Sequence, residues 1–285
     1  MNKKLLIFFS VLLFSLTFCL FGCNRSNEPE NPGNTQTNQA ATAYGIVHKA
    51  YVGKATVNVE GKKVKSVSYD EAFLPHTWAN IKYELKDGET LANDVLEHIK
   101  GDEKMYYAKY ISIDGKLFTG SVRETDLTLD DKAYSAQVIK YTSKDIPDLF
   151  VYLYNSDSNC EWYFNAAKNN KIFICDAEGK KLETYPSNNE YGWFKSEGKY
   201  WNDKDTYPLG WKGNLEQLAN YLMGKELTEL DESKFVKDET GVEENGYTYN
   251  YWTINGVKTK VTMVDVYDYY KIAQKAYAKV IKNVK

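Results

Sequence analysis

Aromatic rings set among Gly, Pro and charged residues are the pattern in this chain with the clearest chemical use. Three stretches carry it: Glu71-Ala-Phe-Leu-Pro-His-Thr-Trp78, Glu190-Tyr-Gly-Trp-Phe194, and residues 199–211, KYWNDKDTYPLGW. Rings of this kind can hold a flat ligand by stacking while phenol and indole groups hydrogen-bond its edge. Trp193, Trp201, Tyr207 and Trp211 are the candidates for that stacking. The same rings can also close over sheet ends as a second core, the commoner fate of any one Trp, and spacing leaves both readings open.

Signals for catalysis are sparse. The chain has no Gly-x-Ser-x-Gly elbow, no His-Glu-x-x-His, no phosphate loop and no Cys-x-x-Cys, so the usual nucleophile and metal motifs are missing. His48, His76 and His98 are scattered and predict no metal site. Asp70, Glu71, Asp87, Glu89, Asp130 and Asp131 supply carboxylates in near pairs, which in loops are expected to be solvated. The balance favours a binding protein over an enzyme. Cys160 and Cys175 are the two thiols of the chain's later part. Outside the cytoplasm such a pair is free to oxidise, and a disulfide there would stabilise by about 3 kcal/mol. Two reduced, buried cysteines are the alternative.

The amino end speaks to address. Lys3 and Lys4 precede an apolar run from Leu5 to Phe21, and Leu20-Phe21-Gly22-Cys23 follows, the order of parts in a secretory signal peptide. The Leu-x-Gly-Cys ending resembles a bacterial lipobox, which implies cleavage after residue 22, acylation of Cys23 and a lipid-bilayer anchor on the extracytoplasmic side of the cell envelope. Two or three acyl chains hold a protein firmly, since each buried methylene adds about 0.8 kcal/mol. Residues 23–43 follow, rich in Asn, Gln, Thr and Pro, and are expected to form a flexible tether with a reach of roughly 25 Å. The folded body is expected over residues 44–285. Loss of the leader leaves 34 basic and 39 acidic residues, a net charge of −5. With the charges interspersed, nucleic-acid binding is disfavoured and an ordinary solvated surface is expected.

The elements that must position the rings read as α+β. Of 285 residues, 43% are hydrophobic and 15% aromatic, with only 6 Pro, which excludes disorder, collagen and coiled coil. Alternating apolar residues flank acid-Gly-Lys turns at Val57–Ser68, Ile111–Phe118 and Ile172–Leu182. These predict antiparallel hairpins in which Gly61, Gly115 and Gly179 take positive φ. Tyr247–Met263 predicts a fourth, turning at Asn255-Gly256. Helical periodicity predicts helices over Thr90–Lys100, from a cap at Asn214 through Met223, and from a cap at Asp265 to the carboxyl end. A loose boundary near residues 146–189 allows two similar subdomains.

Taken in order, Tyr44-Gly-Ile-Val, the Val57–Val67 hairpin, Tyr191-Gly-Trp193, a segment centred on Trp201, the helix Leu215–Met223 before Gly224-Lys225, and Lys258-Thr-Lys-Val-Thr-Met263 before a last helix resemble extracellular FMN-binding-domain lipoproteins. The resemblance covers most of the chain after the leader through short motifs. It implies an α+β fold and, for some members, FMN joined by a phosphoester to a threonine of a Ser/Thr-Gly-Ala-Thr sequence in membrane-linked electron transfer. The matching positions are Thr259, Lys260, Val261 and Thr262, so both hydroxyls fit, while Lys and Val stand where Gly and Ala would be. Thr262, with Thr259, is the cofactor-binding candidate this implies. The expectation is a flavin or small-ligand binding, electron-relay lipoprotein; the alternative is an envelope protein presenting aromatic loops to a protein or glycan partner.

Overall fold

The computed structural model describes residues 38–189, 193–203, 209–244 and 246–283. Its organising element is an antiparallel meander of β1 (Asn38–Val47), β2 (Tyr51–Glu60) and β3 (Lys63–Phe73). Side chains alternate between faces of a strand, and here both faces are covered. Ala43, Val47, Ala55, Val57 and Val59 enter one core, whereas Tyr44 and Val52 enter another. The meander is thus the wall between two cores, and residues Gln36–Lys285 form one compact unit. This replaces the two similar subdomains allowed by the sequence with two dissimilar cores sharing one sheet. Folded chain also begins six residues inside the expected tether, because Asn38–Ala43 pair with Ala55–Glu60 of β2.

On the first side, α1 (Pro75–Trp78) leads to the hairpin of β4 (Val95–Lys100) and β5 (Glu103–Ala108). Next come β6 (Tyr110–Ile113), β7 (Lys116–Val122), the short pair β8 (Thr128–Leu129) and β9 (Lys132–Ala133), and β10 (Ile139–Thr142). Two helices, α2 (Leu149–Tyr154) and α3 (Asp157–Lys168), precede β11 (Ile172–Ile174), which completes a sheet ordered β10-β7-β6-β11. Asp148 caps α2 by accepting from the amides of Phe150 and Val151, and Arg123 holds the same carboxylate at 2.7 Å. The helix expected over Thr90–Lys100 is a coil and a strand instead. Gly101 turns the chain at φ 61°, and Val95 to Lys100 pair residue by residue with Ala108 to Glu103. Tertiary pairing of β-branched Val95 and Ile99 overrides a helical-looking spacing.

The second side holds α4 (Gly210–Leu222), β12 (Phe235–Lys237), β13 (Val242–Glu244), β14 (Tyr247–Tyr249), β15 (Trp252–Ile254), β16 (Val257–Lys258) and α5 (Val266–Asn283). The Asn255-Gly256 turn joins β15 to β16 as expected. Tyr247–Tyr249 pairs backwards with β13 rather than extending that hairpin. The Ile172–Leu182 hairpin is reduced to β11 and one bridge from Cys175 to Lys181. Helix α5 lies across β1 and β2 where Gly45 and Gly53 face each other in register. A side chain at Gly53 would collide with Val47 Cγ2 and come within 2.9 Å of Ile272 Cδ1, so the glycine is what lets the helix approach.

Cys160 and Cys175 are separate buried thiols, not a disulfide. Cys160 projects from α3 into the core and donates to the Leu153 carbonyl at 3.2 Å, while Cys175 lies just past β11. Burial pushes the Cys160 thiol up to about 12 and the Cys175 thiol up to about 11, so both stay protonated and inert.

Candidate functional site: an aromatic cavity beside a buried ion pair

A cavity of about 550 Å3 opens on the second side of the meander, within the ordinary range for small-molecule sites. The first turn of α4, the loop before α5, the β13–β14 hairpin and the segment Lys195–Trp201 meet there. Local sequence explains the meeting. Gly210 takes φ 63°, and a side chain on it would fall 3.1 Å from the Asn202 Cα. That close approach sets a short 3-10 turn, Tyr200–Asn202, against the start of α4 and brings Trp201 and Trp211 to one wall.

Asn214 is the second fastener. The sequence places it as a helix cap, but α4 starts four residues earlier and Asn214 lies buried inside it. Its Nδ2 donates to the Gly210 carbonyl at 2.8 Å. Its Oδ1 accepts from Thr262 N (2.7 Å), Thr262 Oγ1 (3.0 Å) and Met263 N (3.2 Å). One amide side chain therefore ties the loop before α5 to α4 and fixes the Thr262 hydroxyl on the cavity wall.

Across from it stands Lys195, only 5% exposed. Residues 193–195 run beside the end of β3: Phe73 N donates to the Trp193 carbonyl and Lys195 N to the Glu71 carbonyl. The Lys195 ammonium then sits 4.1 Å from the ring centre of Tyr51 and 4.7 Å from that of Trp201. Cation–π attraction of this kind grows when the cation is desolvated. Its Nζ is also 2.8 Å from Oε1 of Glu71, which is 1% exposed. The two form a close but poorly aligned ion pair, since neither carboxylate oxygen makes a hydrogen bond of ordinary geometry within the protein. Burial pushes the Glu71 carboxyl up to about 8, against the lowering pull of Lys195. For Lys195, burial lowers the ammonium, but the charges of Glu71, Asp265 and Tyr51 together outweigh it and the net shift is upward.

The expected residues divide. Trp201, Trp211 and Thr262 come together on the cavity wall. Trp193 is not among the residues lining this cavity; its ring packs edge-on against Trp78 at 5.4 Å. Thr259 is buried away from the cavity, its hydroxyl donating to the Trp252 carbonyl at 2.6 Å. Tyr207, Cys23, the leader and residues 24–37 lie outside the described residues, as do Tyr191 and Gly192. The sequence reading missed Tyr247 and Tyr249, which line the cavity, and the Glu71–Lys195 pair. Glu71 was expected in solvent with Asp70; the usable hint was an acid followed directly by Ala72-Phe73-Leu74, a run that must be buried.

Among the described residues no group of three His, Cys, Asp or Glu is placed to hold a metal, and no helix is long and apolar enough to cross a membrane. Compared with protein-family models, curated proteins and solved structures, the chain matches none.

Proposed function

We propose that this chain is a lipid-anchored, extracytoplasmic binding module whose cavity takes a flat aromatic ligand, with flavin mononucleotide the first candidate. One observation carries the reading: Trp201, Trp211 and Tyr51 converge with a tethered hydroxyl, Thr262, on a cavity of about 550 Å3. Rings on the wall suit an isoalloxazine, and the Thr262 hydroxyl oxygen and Lys237 offer polar groups for its edges and tail. A bound flavin would supply electron-transfer chemistry from its own ring, the protein supplying orientation and polarity. Trp201 and Trp211 would stack, and Lys195 would set the charge beside the ring.

The binding we propose is noncovalent. Beside Thr262, Val261 is wholly buried and Lys260 is exposed, so the small residues that let a chain come close to a phosphate donor are replaced by bulk. The Thr262 hydroxyl is also already engaged by Asn214. The anchor at Cys23 and the place in the bacterial envelope rest on the leader and its Leu20-Phe21-Gly22-Cys23 ending.

The test is the visible spectrum of the purified chain before and after denaturation, with a flavin fluorescence titration. Quenching of added FMN, with the yellow colour lost on unfolding, supports the reading. A colourless protein without FMN affinity overturns it and favours the partner-presenting alternative. Colour that survives denaturation and disappears in Thr262→Ala would restore covalent attachment. Labelled palmitate on the wild type, absent from Cys23→Ala, tests the anchor independently.

A further inference from the structure

A buried carboxylate whose one counter-charge is a buried ammonium is an expensive arrangement. Apolar residues of the same size would leave a protein as stable or more so. Here the pair stands directly behind a ligand-sized cavity. Lys195 lines that cavity and Glu71 is not among its lining residues, while the two side chains meet at 2.8 Å. Strained charge pairs at a cleft wall are a mark of use.

We propose that Lys195 is an anion site in the cavity wall that Glu71 opens by taking up a proton, so that the ligand is a flat ring bearing a negative group. This rests on reading the cavity as a ligand site, but not on that ligand being a flavin. With Glu71 ionised, the pair neutralises itself, and an incoming anion meets the carboxylate's repulsion. With Glu71 protonated, Lys195 loses its closest counter-ion and keeps the Asp265 charge against the cost of burial, so a ligand anion can take the lost counter-ion's place. The proton comes from solvent and rests on a Glu71 carboxylate oxygen; no other bond changes.

The surrounding charges permit this. Asp265 and Tyr51 face the same pair, and Lys237 and His48 line the cavity from β12 and the β1–β2 turn. Asp265 opposes an anion, but it lies at the amino end of α5, where the helix dipole offsets part of its charge. Asp70 is turned elsewhere, accepting from the Ser196 hydroxyl at 2.8 Å and the Glu71 amide at 2.9 Å. Because burial raises Glu71 to about 8, the acid is mostly neutral below that pH and the site is open. Above it, anion affinity falls about tenfold per pH unit, one proton being required for each anion bound.

The experiment is titration calorimetry on the full chain in detergent with 2-naphthoate and 2-naphthamide, which share a flat ring and differ in charge. At about pH 6 the naphthoate should bind about tenfold or more tightly than the amide, and near pH 9.5 that advantage should disappear. Heats in buffers of different ionisation enthalpy should show proton uptake with naphthoate only at the higher pH. Glu71→Gln should keep the advantage at both pH values, Lys195→Met should abolish it, and Lys195→Arg should restore it. Equal binding of the two probes at the lower pH, or an unchanged pH fall in Glu71→Gln, overturns the proposal. Should circular dichroism show Glu71→Gln unfolded, wild-type proton uptake decides alone, its absence being fatal. FMN and riboflavin are run beside them. If neither binds while naphthoate follows this pattern, the flavin reading fails and the anion site stands. If FMN binds with no dependence on pH or on Glu71, the reverse holds; if no probe binds, both fall.

Discussion

Two pairs of tryptophans show what separates a core ring from one that lines a cavity. Trp78 is 1% exposed, its indole N–H donates to the Tyr163 hydroxyl at 2.9 Å, and that hydroxyl donates in turn to the Phe73 carbonyl at 2.6 Å. Trp193 packs edge-on against the Trp78 ring at 5.4 Å. On the other side of the meander, Trp211 repeats the motif, donating to the Tyr269 hydroxyl at 2.7 Å. There the repetition ends, because Trp211 also lines the cavity and Trp201 turns its face to the Lys195 ammonium. Indole–phenol pairs anchor both sides; the second differs in setting a cation beside a ring that lines a cavity. The core reading of the aromatic loops describes the first half of the molecule; the ligand-stacking reading is what we propose for the second.

Truncating each half should separate stability from binding. The largest effect is expected from Trp78→Ala, about 3–5 kcal/mol of unfolding free energy by denaturant titration, with ligand affinity unchanged wherever the variant stays folded. A drop in affinity as large as that at Trp201→Ala would erase the distinction between the halves. Gly53→Ala should cost about 1–3 kcal/mol by forcing Ile272 and α5 off the sheet, and it probes the cavity side through its scaffold alone. Trp201→Ala should weaken FMN about tenfold, near 1.4 kcal/mol in binding free energy, with a loss of stability well below that of Trp78→Ala. Smallest of all is the reductant test. Dithiothreitol should leave the melting temperature unmoved, and Cys160 and Cys175 should react with thiol reagents only on unfolding, because no bridge joins them.

Hairpins and the last helix were legible because their signals are local. Gly61, Gly115, Gly179 and Gly256 all take positive φ at the predicted turns, and the apolar stripe of α5 buries Tyr269, Ile272, Ala273, Ala276 and Val280. Helix α3 escaped notice because Asp157-Ser-Asn-Cys-Glu mixes poor helix formers ahead of its aromatic residues, and tertiary packing makes up the difference. Segment 90–100 failed in the opposite sense, its helical spacing giving way to a partner strand. At the site, ring-rich loops flagged Trp201 and Trp211, and a motif flagged Thr262. Glu71 and Lys195 are 124 positions apart and no periodicity joins them; only the bridge of Ala72 with Phe194 brings them face to face.

The lid that α5 places over β1 and β2 bears on how this polypeptide is made. Ala43 and Val47, near the start of the described chain, share a core with Ala273, Ala276 and Val280 near its end, and the Lys279 ammonium reaches the Thr42 carbonyl at 3.0 Å. The face of the first sheet turned to α5 cannot be covered until residues 266–283 leave the ribosome. Were the chain exported behind the proposed leader, the core under α5 would close only after residues 266–283 had crossed the membrane, however early the first core formed.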